Sequence, residues 1–204
     1  MPLGTSSTAV KILASVVLVG GAASVAGLGT FGAFTSTTTA TEQVAAGKVV
    51  LTNAEGVQGL KVAATNMVPG DVAERTVTLT RDTDSEAFGS VRLTTAATAS
   101  NLLTTDGTNG LQLKVDQCSA AWSKPANGGA LTCSGSISTV IAARPVVGSA
   151  LDLGAVTESL NAGGRTANLR VTVTLPASAD NSFQGLSNTI NFTFDATQRA
   201  AKNV

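Results

Sequence analysis

Alternation of apolar and polar residues constrains this chain more than any other feature. In four segments after Lys48, large apolar side chains occupy every second position, and Thr, Asn, Gln, Lys, Arg or Asp residues lie between them. The apolar positions are Val77 and Leu79; Leu111, Leu113 and Val115; Leu169, Val171, Val173 and Leu175; and Ile190, Phe192 and Phe194. Successive side chains of a strand point to opposite faces, so this period predicts strands with one buried face. The chain is therefore predicted to be mostly β.

Turn signals separate the predicted strands at short intervals. Their Gly and Asn residues tolerate positive φ, and their Pro residues fix φ and lack a backbone donor. The signals are Pro69-Gly70-Asp71, Asp106-Gly107, Asn109-Gly110, Asn127-Gly128-Gly129, Gly163-Gly164 and Pro176. Many short strands joined in this way are typical of an antiparallel sandwich or barrel. We expect this domain to span residues 48–198, followed by a tail over 199–204, with one helical turn at most, between Val156 and Leu160.

The N-terminal run from Lys11 to Phe34 has the layout of an export signal. After Lys11, residues 12–33 contain no charged side chain and are rich in Val, Leu, Ala and Gly. A basic start, an apolar stretch and small residues at its end are typical of a signal peptide, here residues 1–33. We expect a signal peptidase to cut between Ala33 and Phe34, which leaves no stable membrane insertion. A retained membrane anchor is the alternative, because about 20 apolar residues suffice to cross a bilayer.

The charge balance and the missing residue types narrow the possible functions. Lys and Arg total 13, Asp and Glu total 13, and charged residues make up 13% of the chain, against about 25% in an average soluble protein. A near-neutral surface without basic clusters argues against nucleic acid as a partner. The sequence has no histidine, which removes the commonest general base and a common metal ligand.

The sequence contains two cysteines, Cys118 and Cys133. In an exported chain the expected arrangement is one disulfide between them, because export leads to an oxidising compartment. A metal site would need more ligands than two isolated thiols, and a nucleophilic cysteine would need a basic partner such as histidine. Trp122 lies between the cysteines and is expected either to pack as a lid over the end of the sandwich or to form an exposed contact.

Several segments resemble the TasA/camelysin family, exported proteins of Gram-positive bacteria that form fibres in the biofilm matrix. The segments are Gly29 to Phe34 at the export junction, Leu60 to Leu79, Leu169 to Pro176, Asn181 to Gly185, and Ile190 to Gln198. The resemblance implies an all-β, antiparallel jelly-roll-like β-sandwich preceded by an N-terminal signal segment. It also implies a secreted protein of the extracellular matrix or cell surface, without a cofactor, that assembles with copies of itself or with an accessory fibre subunit.

Two parts of the chain differ from the usual pattern of that family. Where the family often has Asn and Gly after its Pro-Gly-Asp strand, this chain has the acidic segment Arg81 to Glu86, so we expect a connection of different shape. The cysteine pair, with Trp122 and Pro125 between, is similar to an elaboration of actinobacterial relatives.

Camelysin relatives have been described as metal-dependent peptidases, so this chemistry must be considered. Zinc peptidases use His-Glu-x-x-His on a helix, and this sequence has no histidine. We therefore expect no enzyme activity and assign no catalytic residues. Asp82, Asp84 and Glu86 occur at alternate positions and could offer oxygens to calcium, but they lack the glycine and final glutamate of a calcium loop. A solvated turn is the favoured interpretation, and no metal ligands are assigned.

The segment after the expected cleavage site, residues 34–47, is predicted to be an extended arm. It is rich in β-branched residues and has too few apolar side chains to hold itself in a core. We expect it to add a strand to the sheet edge of a neighbouring copy. The residues assigned to this polymerisation arm are Phe34, Thr37, Thr39, Thr41 and Val44. A head-to-tail contact of this kind that does not close produces filaments.

The alternative function is that of a monomeric cell-surface adhesion or ligand-binding module. Such a module would be expected to expose clustered aromatic residues for sugar stacking. The sequence has six Phe, one Trp and no Tyr, which favours the fibre subunit over the adhesion module.

Overall fold

A computed structural model describes residues 35–38, 49–52, 61–126 and 128–200, the first two ranges as backbone only. The strands are β1 (Thr35–Thr38), β2 (Val49–Thr52), β3 (Lys61–Ala64), β4 (Val72–Arg81), β5 (Phe88–Ala97), β6 (Gln112–Cys118), β7 (Trp122–Ser123), β8 (Thr132–Cys133), β9 (Ile137–Pro145), β10 (Gly148–Asp152), β11 (Thr166–Thr174) and β12 (Asn188–Gln198). The helices are α1 (Leu102–Thr105), α2 (Gly154–Asn161) and a 3₁₀ turn, Asn181–Phe183. The signal segment, residues 1–33, lies outside the described residues.

The strands form two antiparallel sheets and a small hairpin. The first sheet has the order β1-β12-β5-β10, and β3 also pairs with β12. The second sheet has the order β2-β4-β11-β6-β9, and β7 pairs with β8 alone. The chain is thus an all-β antiparallel sandwich, which confirms the predicted fold class.

The core lies between the two sheets and consists of the apolar positions that alternate in the sequence. In the described residues, Leu79, Leu93, Leu113, Leu169 and Ile190 have no measurable exposure, and they come from five different strands. Burying one large aliphatic side chain contributes about 1.5–3 kcal/mol. Because every second residue of each central strand makes this contribution, a shift of register by one residue would move the whole set into water.

The predicted turn at Pro69-Gly70-Asp71 connects β3 to β4 and is also bonded to the end of β11. Gly70 has φ 97°, the positive value that the third position of a type II turn requires. The Asp71 amide donates to the Val68 carbonyl at 2.9 Å, and the Asp71 carboxylate accepts from the Val68 amide at 2.8 Å. The Gly70 amide donates to the Leu175 carbonyl at 2.8 Å. The turn therefore holds β4 and β11 in register where the two strands meet.

Helix α2 is longer than the single turn predicted between Val156 and Leu160. It has eight residues, and Val156 and Leu160, four positions apart, are fully buried on its inner face. The helix is also stabilised by hydrogen bonds between its side chains and the backbone of β5. The Val91 amide donates to the Thr157 hydroxyl at 2.9 Å, and the Asn161 side chain both accepts from the Phe88 amide and donates to the Phe88 carbonyl, at 2.8 Å each.

These contacts let α2 take the place of a strand along part of β5. Strand β10 pairs with β5 from Arg92 to Thr95, and α2 satisfies backbone groups of the residues before Arg92. Buried or half-buried backbone groups that lack a partner are costly, so this polar helix face completes the sheet. Neither helix among the described residues is long and apolar enough to span a membrane.

The sandwich has two ends, which we call the α2 end and the α1 end. The α1 end contains α1, the β3–β4 turn, the β9–β10 turn and the 3₁₀ turn, held together by hydrogen bonds. The Leu111 amide donates to the Leu103 carbonyl at 2.8 Å, and the Val146 amide donates to the Leu111 carbonyl at 2.9 Å. The Asn101 side chain donates to the Ser187 carbonyl at 3.0 Å.

Replacement of Asn161 tests the role of α2 at the edge of β5. We expect Asn161→Ala to lower the free energy of unfolding by about 1–3 kcal/mol, because it leaves two backbone groups of Phe88 without their partner. Glu158→Ala, at an exposed position of the same helix, is the control and should change it by about 0.5 kcal/mol or less. Urea denaturation followed by circular dichroism measures both. Equal effects of the two variants would contradict the role assigned to Asn161.

Candidate functional site

The outer edge of β12 is completed by two short strands placed end to end. On one side β12 pairs with β5. On the other side, Asn188–Asn191 pair with β3 and Phe194–Thr197 pair with β1. Both strands run antiparallel to β12, whereas β2, which lies between them in sequence, pairs with β4 in the other sheet. The edge of β12 thus accepts a four-residue strand that the chain supplies from its N-terminal region.

The expected polymerisation arm overlaps this edge. Thr37 lies in β1 opposite Asp195 of β12. The other arm residues, Phe34, Thr39, Thr41 and Val44, and the expected cleavage residue Ala33, lie outside the described residues. Residues 35–38 therefore occupy a strand position in their own sheet, and a neighbouring copy's arm could use this position only by replacing them.

The two cysteines form the predicted disulfide. Cys118 ends β6 and is buried, Cys133 lies in β8, and their Cα atoms are 6.0 Å apart. The disulfide closes a loop that contains the β7–β8 hairpin, in which Trp122 pairs with Cys133. The loop lies against the outer face of the second sheet. We refer to it as the disulfide loop.

Trp122 is packed, as one of the two predictions had it, but it lies on the outer face of the second sheet and not over the end of the sandwich. Its side chain lies over Arg170 of β11, with the guanidinium carbon 4.4 Å from the ring centroid. Its indole N–H donates to the Asn168 carbonyl at 3.1 Å, and the residue is 8% exposed. A guanidinium over an indole face is a favourable cation–π contact, worth about 0.5–2 kcal/mol depending on its exposure to water.

A charged network lies beneath the disulfide loop and joins four strands. Arg170 pairs with Asp116 of β6 at 2.9 Å and with Glu74 of β4 at 3.2 Å. Lys114 pairs with Asp116 at 2.9 Å, and the hydroxyl of Thr139 on β9 donates to the same carboxylate at 2.9 Å. The Asp116 side chain is fully buried, so both of its oxygens depend on these partners.

The backbone of the disulfide loop is bonded directly to this network. The Leu131 amide donates to the Glu74 carboxylate at 2.7 Å, and the Arg170 guanidinium donates to the Leu131 carbonyl at 3.4 Å. Burial raises the pKa of Asp116, but the hydrogen bonds from Lys114, Arg170 and Thr139 outweigh burial, so the pKa of this carboxyl lies below its usual range. The Asp116 carboxyl is therefore ionised at neutral pH.

The acidic segment from Arg81 to Glu86, which was considered above as a calcium ligand set, is held by local contacts and by two arginines. The Asp82 carboxylate accepts from the Thr83 hydroxyl at 3.2 Å and from the Asp84 amide at 3.3 Å. Glu86 pairs with Arg199 at 2.9 Å. Arg165 donates to the carbonyls of Asp82 and Thr83 at 2.8 and 2.6 Å. These bonds are those of a turn at the α2 end of the sandwich.

Nearly the whole chain matches one known protein family. The family model described as camelysin metallo-endopeptidase matches residues 8–203. The chain belongs to the camelysin family. No curated protein and no solved structure matches it at a significant level.

The family description names a metallo-endopeptidase, so the donor residues of this camelysin-family protein must be compared with that activity. The sequence contains no histidine, and both of its cysteines are in the disulfide. Across residues 61–126 and 128–200, no group of three or more Cys, Asp or Glu side chains could hold a metal ion. The residues that the structure describes thus do not fit a zinc-peptidase centre, and we derive no reaction step through a metal.

The lowered pKa of Asp116 predicts a pH dependence of stability. Because the folded-state pKa lies below the unfolded value of about 3.9, the stabilisation is complete above that pH and is lost as the pH falls through the folded pKa. We expect Asp116→Asn to lower the free energy of unfolding by about 1–3 kcal/mol at pH 7 and by less at about pH 3.

Urea denaturation of both proteins across this pH range measures the difference. The pKa values of Asp106 and Asp180 are also lowered, by hydrogen bonds from Asn109 and Thr108 and from Ser182, respectively. Those two groups are present in both proteins, so their contributions to the pH dependence of the free energy of unfolding largely cancel in the comparison. A loss that is the same at both pH values would contradict the ionised Asp116 network.

The single tryptophan reports directly on the disulfide loop. Replacement of both cysteines, Cys118→Ala with Cys133→Ala, should lower the free energy of unfolding by about 3 kcal/mol for a loop of this length. Under native conditions Trp122 emission should shift to longer wavelength as its ring becomes hydrated. Arg170→Lys, with the disulfide intact, is the control that keeps the positive charge but removes the guanidinium from the ring and from its forked bonds to Asp116 and Glu74. Emission in the cysteine variant identical to that of the parent protein would show that Trp122 is positioned without the disulfide.

Proposed function

We propose that this protein is a secreted, non-enzymatic subunit of fibres at the cell surface or in the extracellular matrix. In this proposal, each subunit adds its N-terminal arm as a strand to the next subunit. Membership of the camelysin family supports a secreted or matrix protein in general. The head-to-tail contact is our own inference from the edge of β12.

The observation that carries the proposal is the composite edge of β12. One half of the edge is filled by β3, which leads directly into the β3–β4 turn, and the other half is filled by the four residues of β1. Ten residues, 39–48, connect β1 to β2. A short strand on such a connection can be supplied by the same chain or by a neighbour, because both sources offer the same main-chain hydrogen bonds.

Competition between these two sources decides whether the chain is a monomer or a polymer. A strand joined to its own domain by a short segment has an effective concentration in the millimolar range, which favours the closed monomer in dilute solution. Polymers are then favoured where the arm is withheld from its own sheet or where subunits are concentrated. A signal segment that stays in the membrane until cleavage would do both, so we propose that cleavage after Ala33 triggers assembly.

The sequence has no histidine, and residues 61–126 and 128–200 contain no suitable metal-donor set; both observations support a structural role over a peptidase. The low proportion of charged residues fits a surface that contacts other protein. On the outer face of the second sheet, charged side chains pair with one another within the subunit, in the network around Arg170.

Proline substitution in β1 tests the proposed connector. Of two consecutive residues in a strand, one directs its N–H toward the neighbouring strand, so Ser36→Pro with Thr37→Pro must remove at least one ladder donor. Starting from protein that begins at Phe34, we expect polymers for the parent sequence and none for this variant or for a deletion of residues 34–44. Ser36→Thr with Thr37→Val is the control that keeps every amide.

Sedimentation velocity and negative-stain electron microscopy measure assembly in the four proteins, and circular dichroism checks that each one folds. Polymers of normal length from the deletion variant would show that the arm is not the connector. A parent protein that is monomeric at every concentration would favour the adhesion or ligand-binding module.

A further inference from the structure

A groove of about 470 Å³ opens at the α1 end of the sandwich. Its apolar walls are the buried side chains of Leu175 and Phe183, together with the half-buried Met67, the exposed Val68 and Pro69. Sites for small ligands have volumes of about 300–1,000 Å³, so the groove is large enough to be one. The lining residues that the structure describes include none from β1 or β12, so the groove is separate from the edge used in the proposed assembly.

Three primary amides line the groove without hydrogen bonds of their own. The side chains of Asn66, Asn181 and Gln184 bond to no other residue in the part of the chain that the structure describes. Each amide offers two N–H donors and one carbonyl acceptor. A peptide backbone carries the complementary groups, because every residue other than Pro has one N–H and one C=O. The polar part of the lining therefore suits a peptide segment better than a purely apolar ligand.

Asp180 alone is charged among the described lining residues, and half of its carboxylate is open. One oxygen, Oδ1, accepts from the Ser182 amide at 2.8 Å and from the Ser182 hydroxyl. The other oxygen, Oδ2, has no hydrogen-bond partner within residues 61–126 and 128–200. The hydroxyl and amide of Ser182 lower the pKa of Asp180 and outweigh the opposing effects of desolvation and the neighbouring Asp106, so the carboxyl is ionised at neutral pH.

The loops at the α1 end carry negative charge only. Residues 65–71, 98–111, 146–147 and 175–187 contain Asp71, Asp106 and Asp180 and no Glu, Lys or Arg. The carboxylates of Asp71 and Asp106 already accept backbone N–H groups of their own turns. Asp180 is therefore the acidic group at this end that offers a free oxygen inside a groove, and the surrounding charge favours a cation there.

The open oxygen favours lysine over arginine. A guanidinium binds most strongly when two parallel N–H groups reach both oxygens of a carboxylate. Ser182 already fills Oδ1 of Asp180 with two hydrogen bonds, so this forked arrangement would require those bonds to break. An ammonium is a compact charge that can bond one oxygen. The aliphatic stem of a lysine can lie along apolar walls while its charged end stays at the opening.

We propose that the groove at the α1 end binds the side chain of a lysine in a segment of another protein. The ammonium group bonds Oδ2 of Asp180, the stem contacts Met67 and Phe183, and the free amides bond the backbone of the segment. The proposal goes beyond the fibre function and does not depend on strand addition at β12.

Titration with short peptides tests the proposal. Residues 34–204 form one compact unit, so the protein that begins at Phe34 is used. One peptide is acetyl-Ala-Thr-Lys-Thr-Ala-amide. In the control peptide norleucine replaces lysine, which keeps the aliphatic stem and removes the charge. We expect the lysine peptide to bind about three times more tightly than the control, because an exposed ion pair has a small effect on affinity.

Nuclear magnetic resonance measures both the affinity and the position of binding. The side-chain amide signals of Asn66, Asn181 and Gln184 should shift during the titration. The side-chain amide of Asn161, at the α2 end, is the internal control and should not shift.

Replacement of Asp180 identifies the charged contact. Asp180→Asn keeps an oxygen that can accept from Ser182 and removes the negative charge. We expect it to bind the lysine peptide about three times more weakly than the parent protein does, and the norleucine peptide with unchanged affinity. Asp84→Asn changes the net charge equally at the α2 end and should alter neither affinity. Met67→Ala should weaken the binding of both peptides by the same factor, and circular dichroism checks that each variant folds.

The contrary outcomes are distinct. A preference for lysine that is equal in the parent protein and in Asp180→Asn would overturn the proposal, as would shifts confined to residues outside the groove. Binding of 1,5-diaminopentane as tight as that of the lysine peptide would show that the groove takes a free amine and not a peptide segment. Tighter binding of the corresponding arginine peptide would overturn the selection of lysine.

Self-association provides the last comparison. If the same amide signals shift as the parent protein is concentrated without peptide, a second copy occupies the groove and the proposal is wrong. None of these outcomes changes the test of strand addition at β12, which depends on residues 34–44.

Discussion

The requirement that β12 be paired along both edges organises the whole sandwich. β12 is the longest strand, with eleven residues, and its alternate side chains from Asn188 to Ala196 are buried against the second sheet. A buried strand cannot leave a row of backbone donors and acceptors unpaired. The chain satisfies one edge with the single strand β5 and the other with two separate pieces. That division makes a structural part of the sandwich, β1, also the part that could be exchanged between subunits.

Ion pairs stabilise the outer face of the second sheet, whereas apolar packing stabilises its inner face. Arg170 is the centre of this arrangement, because it contacts Asp116 and Glu74 in the two flanking strands and the ring of Trp122 above. Burial of Asp116 would cost several kcal/mol without compensating partners. The disulfide loop packs over Arg170 and bonds to Glu74 through the Leu131 amide, whereas Lys114 remains partly exposed. The disulfide therefore stabilises an ion-pair network as well as restricting the unfolded chain.

Sequence periodicity predicted the central strands more accurately than the strands at the sheet edges. β11 and β12 alternate along most of their length, and β4 and β6 alternate over part of theirs, because one face of each strand lies in the core. β5 carries small and polar residues outside its core positions, and β9 has irregular register against β6, so neither has a clear period of two. Helix α2 was underestimated because its stability depends on bonds from Thr157 and Asn161 to β5, which no local pattern encodes.

The sequence by itself determined the all-β class, the central strands, the turn at Gly70 and the candidate disulfide. Each of these depends on side-chain period, on local φ preference or on the small number of cysteines. Only the tertiary structure decided which strands are neighbours, that Arg170 contacts Asp116, and that Val68 and Val72 are exposed at the start of β4 and in the turn before it. Local pattern specifies which face of a strand is buried, but it does not specify the partner strand. Pairing between residues far apart in sequence depends on the whole set of contacts at once.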